Sequence, residues 1–217
     1  MKIKKKATIT AALMLFTLFA LPSAATAQNL TASENGGLTT SSTVSTSCEL
    51  ALKQAISEGY RPSQDGLCKV ALKTTVSASK PVLSSELGGL KSTLSLGDYK
   101  ALALAVSLGT VRSRNYYQQV VNLSNVESQS GTFYYDGSRV WVAESYRGFT
   151  GSHRCQVERA AFYSVSPQNC YESGSTSNKT LSQQWLFTLG INAGAVSLPI
   201  SWSETYSLHV DSYGQTW

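Results

Sequence analysis

Apolar and polar residues alternate through VSLPISWSETYSLHV, residues 196–210. Val196, Leu198, Ile200 and Trp202 fall on one side, and Tyr206, Leu208 and Val210 keep the same phase. Ser197, Ser201, Ser203, Ser207 and His209 fall on the other. A period of two is that of a β-strand with one wet face. A two-residue turn at Ser203-Glu204 would set Trp202 opposite Thr205 and break the phase, and no Gly or Asn stands there to make it. The pattern therefore predicts one long, bent strand or a three-residue loop. A membrane barrel gives the same alternation, but it needs many such strands unless several chains assemble one pore.

A second pattern, GTFYYDGSRVWV at 131–142, places Asp-Gly between two runs of aromatic and β-branched residues. Asp136-Gly137 favours a two-residue type I′ hairpin, with Tyr135 facing Ser138, Tyr134 facing Arg139, Phe133 facing Val140 and Thr132 facing Trp141. Phe133, Tyr135, Val140 and Val142 then share one face, which suits a core. Thr132, Tyr134, Arg139 and Trp141 share the other. Tyr, Trp and Arg are the residues that dominate binding hot spots, and flat rings stack on sugars. The competing expectation is that Trp141 is covered, with Arg139 lying over Tyr134 as a cation–π lid.

From about Asn115 onward Tyr, Trp, Val, Ser and Thr dominate. Strands are expected near 117–127, 131–135, 138–144, 154–165, 169–173, 182–189 and 195–210. About seven antiparallel strands at this spacing predict a sandwich or small barrel over 111–217. Residues 47–110 read as mainly helical. Thr46 with Glu49 has capping-box spacing, Leu50, Leu52 and Ile56 give an apolar side, and Gly59 is a stop. Ser95 caps a second helix, with Asp98 in its first turn, Leu96, Tyr99, Ala103 and Val106 on one side, and Gly109 at its end. SELGGLK reads as a short helical turn, and VALKTTVSAS leans to a strand. Residues 28–46 are polar and Gly/Ser/Thr-rich, so a disordered arm or linker is expected. The fold class is α+β.

The first 27 residues change how the charge is read. Lys2, Lys4, Lys5 and Lys6 precede an apolar run from Ala11 to Leu21, and Ala25 and Ala27 fit a small-x-small cleavage site. This is the pattern of a secretory signal peptide spanning 1–27. Its apolar run is shorter than the ~20 residues that span a bilayer, and no later segment is longer. The formal charge of the whole chain is +5. Four of its 18 basic residues leave with the leader, which leaves 14 against 13 acidic residues and a net charge of about +1. No basic tract remains, so nucleic acid is not an expected partner.

Cys48, Cys68, Cys155 and Cys170 all follow the leader. An even count in an exported chain predicts two disulfides. Four cysteines allow three connectivities, and the sequence does not choose among them; the nearest-neighbour scheme would pair Cys48 with Cys68 and Cys155 with Cys170. The second pair meets a difficulty, because the only clear turn between them, SPQN at 166–169, would put Cys170 opposite Val165. A metal site ranks far behind, since CxxC is absent and there are only two histidines, His153 and His209.

No nucleophile elbow, HExxH, phosphate loop or dinucleotide fingerprint is present. His209 with Asp211 has the spacing of a base and its orienter, and Asp136 with Glu144 could act as paired carboxylates, but nothing marks either pair apart. No catalytic residue, metal or cofactor is assigned. The expectation is an exported, non-catalytic binding protein. It would recognise a cell-envelope glycan, a polysaccharide or a protein outside the cell through Tyr134, Arg139 and Trp141. The alternatives are a secreted toxin or pore-former and a secreted hydrolase using His209 or His153.

Overall fold

A computed structural model describes residues 36–61, 65–123, 125–161, 164–193 and 196–217. The expected leader over 1–27, and residues 28–35 of the expected arm, lie outside them. The chain is mostly antiparallel β-sheet with few helices. In order it forms β1 (Gly37–Val44), α1 (Thr46–Ser57), β2 (Lys69–Val76), β3 (Lys80–Pro81), a 3₁₀ turn (Ser84–Leu90), α2 (Leu96–Ser107), β4 (Arg112–Asn122) and β5 (Asn125–Tyr135). It continues with β6 (Val140–Trp141), β7 (Ser145–Tyr146), β8 (Phe149–Thr150), β9 (Ser152–Arg159), β10 (Ser164–Gly174), β11 (Asn178–Ala193) and β12 (Val196–Asp211).

One sheet runs β1-β2-β4-β5-β6, with β3 also on β4 and β9 also on β5. A second runs β10-β11-β12, and β7 pairs β8. The two larger sheets share their cores. Val70 and Val120 of the first meet Trp185, Phe187, Trp202 and Tyr206 of the second, with Cys48, Ala51 and Ala55 of α1. Farther along, Val76, Tyr116, Phe133 and Tyr135 meet Leu181, Leu208 and Val210. A third cluster lies outside this interface, where the 3₁₀ turn and α2 bring Leu87, Leu102 and Val106 onto Trp141 and Phe149.

The division into arm, helical part and β domain is corrected by β1 and β2. Gly37–Val44, expected in the arm, pairs residue by residue with β2, from Gly37↔Val76 to Val44↔Lys69. β2 itself, inside the expected helical part, also pairs β4. β1 has no apolar period because it is an edge strand, mostly exposed on both sides. The helices do form, with shifted details. Ser45, not Thr46, caps α1, accepting from the Cys48 amide at 2.9 Å. The side of α1 against the sheet is the small one, Cys48, Ala51 and Ala55, while Leu50 is 63% exposed. Small side chains let the helix approach closely. Ser95 caps α2 as expected, and Gly59 and Gly109 end the helices at φ 99° and 64°.

β12 is the long strand the alternation predicts. Ile200, Trp202, Tyr206, Leu208 and Val210 are buried, and Ser201, Ser203 and Thr205 are exposed. Glu204 interrupts the apolar side because it has a polar partner there: its carboxylate accepts from Ser45 Oγ at the start of α1. Other strand limits move. The expected strand at 117–127 is two strands joined after Asn122↔Asn125, a turn without Gly in which Leu123 takes φ 53°. The expected strand at 154–165 divides into β9 and β10, and 138–144 shrinks to β6. SPQN is no turn. It lies within β10 as a bulge between Pro167 and Asn169. The reversal therefore falls earlier, β10 runs back beside β9, and Cys155 meets Cys170.

Both nearest-neighbour disulfides are present, Cys48–Cys68 with Cα atoms 5.5 Å apart and Cys155–Cys170 at 5.8 Å. They point to an oxidising, non-cytoplasmic compartment. No helix among the described residues is long and apolar enough to cross a membrane.

Within the shared core lies a polar hub. The Gln118 side-chain carbonyl accepts from Gln129 at 2.6 Å and Gln183 at 3.3 Å. Gln118 Nε2 donates to Thr74 Oγ1 at 3.1 Å and to the Ser207 carbonyl at 3.3 Å. Trp185 Nε1 donates to Gln183 Oε1 at 3.0 Å.

Candidate binding groove

The hairpin expected to carry the ligand face keeps its faces and loses its register. Tyr135 pairs with Val140 and Tyr134 with Trp141, so the loop has four residues, Asp136–Arg139, not two. Asp136 Oδ1 makes the longer loop by accepting from the Ser138 and Arg139 amides and the Ser138 hydroxyl. A slip of two residues leaves every side chain on its original face. Phe133, Tyr135, Val140 and Val142 are buried in the shared core. Tyr134 and Trp141 lie together on the opposite face, stacked with centroids 5.7 Å apart.

That face is internal. Trp141 is 0% exposed under α2 and the 3₁₀ turn. Arg139 leaves the strand for the loop, where its guanidinium lies 4.2 Å above the Tyr146 ring and pairs with Glu144 at 3.2 Å. It caps Tyr146, not Tyr134. Tyr134, Arg139 and Trp141 thus hold the loop and α2 in place, with Tyr134 and Arg139 partly exposed and Trp141 fully covered.

The other considered pairs are also engaged. Burial pushes the Asp136 carboxyl up, but the Ser138 and Arg139 donors, with Arg147 at 3.3 Å, outweigh it and hold the carboxyl below the usual range. Glu144 pairs with Arg139 and Lys179. Asp211 accepts from the amides of Tyr213 and Gln215 and so shapes the C-terminal turn. His209 meets Thr180 Oγ1 at 2.9 Å through Nδ1, and burial lowers its pKa.

A groove of about 300 Å³ opens instead between the edges of the two sheets. β1 and β2 supply Thr39, Ser41, Leu72, Thr74 and Val76, while Ser207, Leu208, Thr216 and Trp217 form the opposite side. Elsewhere the space between the sheets is filled by Trp185, Phe187 and Trp202. Here the inward side chains are mainly Ser and Thr, too small to close the gap. Gln118, 2% exposed, lies at the floor and joins the groove to the buried hub.

Trp217 is the groove's exposed aromatic group, at 42%. It exchanges backbone hydrogen bonds with His209 at 3.0 and 3.2 Å, adding a short strand outside β12. Its ring stacks on the His209 imidazole with centroids 5.6 Å apart and planes 14° apart. The histidine thereby fixes the indole's orientation. Among the described residues, no charged side chain lines the groove. The sequence holds a faint signal for this site in the Ser/Thr set of β12 and the hydroxyl-rich GLTTSSTV, which without a pairing partner reads as linker. Trp217 carries no local pattern at all.

Comparison with protein-family models, with curated proteins and with solved structures finds no match.

Proposed function

We propose that this is a secreted, non-catalytic binding protein, built as a two-sheet sandwich, that takes a neutral glycan in the groove between β1 and β12. The carrying observation is the groove's chemistry: hydroxyls and one amide on the walls and floor, an oriented indole at the side, and no charged lining side chain among the described residues. Sugars present both an apolar ring face and a set of hydroxyls, and this lining offers partners for both. A stable protein partner would be expected to cover a broader face, about 800 Å² on each side.

Among the described residues the groove has no carboxylate or imidazole lining group, which argues against hydrolysis there; His209 stands behind Trp217. Titration calorimetry with neutral polysaccharides tests the reading. Saturable binding is expected in the wild type, with a loss of about tenfold or more in Trp217→Ala, the range of a hot-spot aromatic. Unchanged affinity in that variant would refute the site.

A membrane-inserting toxin is the second reading. It draws on β11 and β12, each 16 residues long, where about 9–11 suffice to cross a bilayer as a strand. The apolar face of this hairpin is committed to the core, so insertion would require the sheets to separate. Dye release from liposomes distinguishes the two readings.

A further inference from the structure

Two short patterns face each other where the larger sheets meet. β9 carries His153-x-Cys155 and β10 carries Cys170-x-Glu172. Side chains two apart on a strand share a face, so each pattern presents two donors to one side. The Cys155–Cys170 disulfide brings the patterns together. His153 Nε2 is 3.9 Å from Cys155 Sγ. The ligand atoms of His153, Cys155 and Cys170 all lie within 4.8 Å of one another.

Glu172, two residues from Cys170 and on the same strand face, lies outside that 4.8 Å group and would have to swing inward to supply a fourth ligand. Its Oε2 is buried without a hydrogen-bond partner. The Tyr116 hydroxyl meets His153 Nδ1 at 2.6 Å, the outer hydrogen bond that orients a metal-ligating imidazole. Cys170 is exposed, which gives both a reductant and an ion access. The other disulfide is closed to solvent, with Cys48 and Cys68 only 2% and 5% exposed.

We propose that Cys155–Cys170 is a redox-gated metal site: once reduced, His153, Cys155, Cys170 and Glu172 bind one divalent ion of the zinc class. A dithiol reductant supplies two electrons and two protons. Its thiols become a disulfide, the Cys155–Cys170 bond breaks, and each cysteine gains one proton. Metal binding then releases those two protons to solvent. Two thiolates, one neutral imidazole and one carboxylate remain as ligands, a set that suits Zn²⁺ or Co²⁺. His153 Nε2 faces the Ser182 carbonyl at 3.2 Å and carries the ring proton there. On ligation that proton shifts to Nδ1 and is donated to Tyr116, whose own hydroxyl turns to the Ser152 carbonyl, 3.4 Å away.

The test reduces the full-length protein with a dithiol, desalts it without oxygen and titrates it with Co²⁺. One Co²⁺ per chain is expected, with thiolate-to-metal charge-transfer absorption, and none in the oxidised protein. His153→Ala and Glu172→Gln should each weaken uptake about tenfold or more, since even outer-shell partners are worth that much. The double variant Cys48→Ser/Cys68→Ser should keep it. No uptake by the reduced wild type, equal uptake in His153→Ala, or loss with the Cys48/Cys68 variant overturns the proposal. So does loss of the native circular dichroism on reduction that Co²⁺ fails to restore.

Discussion

Trp141 donates its indole N–H to the carbonyl of Phe149 at 3.1 Å. The ring is thus fixed at its polar end and packed everywhere else, against Tyr134, Tyr146 and the residues of α2.

Trp141→Ala is therefore expected to destabilise the fold by about 3–5 kcal/mol, the range for deleting a buried aromatic. Trp217→Ala, at a ring 42% exposed, should lower stability far less while removing glycan binding. Urea denaturation beside calorimetry separates the two. A Trp141→Ala protein that is fully stable but fails to bind would restore the hairpin face as the site.

Glu127 predicts a dependence on pH. It is 0% exposed, and burial pushes its pKa up to about 8, against a hydrogen bond from its own backbone and helped by the charge of Glu158. The ordinary value is 4.5. Below that value both folded and unfolded chains hold the proton, and burial of the neutral acid is not opposed. Between 4.5 and about 8 the unfolded chain ionises first, so stability falls through this window, by about 1.4 kcal/mol for each unit separating the two values at full effect. Glu127→Gln should flatten the decline and be the more stable protein at pH 8. Parallel melting curves from pH 4 to 8 for the two proteins would contradict this.

Removing the Cys155–Cys170 bridge, as Cys155→Ser/Cys170→Ser, should cost about 3 kcal/mol, the loop-entropy value for a separation of 15 residues. Guanidinium midpoints measure it. An unchanged midpoint would mean that β9 and β10 are held together without the bond.

Gly131→Ala should be among the most damaging small substitutions. A Cβ there would lie 1.8 Å from the Ser152 carbonyl oxygen, inside the β5–β9 ladder. The backbone must move, so loss of the β9 pairing is expected, read as faster amide exchange at 152–157. Exchange as slow as in the wild type would count against the tight approach.

What the sequence made legible follows from which interactions are local. The caps and stops of α2, from Ser95 to Gly109, are contacts within a few residues and are read correctly. So are the strand period of β12 and the two faces of the 131–142 hairpin, since a period of two survives an error of two in register. Features set by distant partners were not legible. β1 looks like a linker until β2 lies beside it. Glu204 looks misplaced until Ser45 reaches it across 159 positions. SPQN has the composition of a turn, but a bulge within β10 absorbs it. The groove belongs to this second class, since its walls come from β1, β2, β12 and the last two residues. The burial of Trp141 belongs there too, because its cover arrives from α2, more than thirty positions earlier.

The Gln118 hub also limits how the two sheets may lie on one another. Valine, leucine and phenylalanine tolerate many alignments, since apolar contact has little directionality. Three buried amides do not. Sliding either sheet by one pleat would carry Gln183 away from Gln118 and strand polar groups in a dry interior. The hub thus acts as a key that only one alignment turns, contributing uniqueness to a fold whose cohesion comes from its aromatic residues.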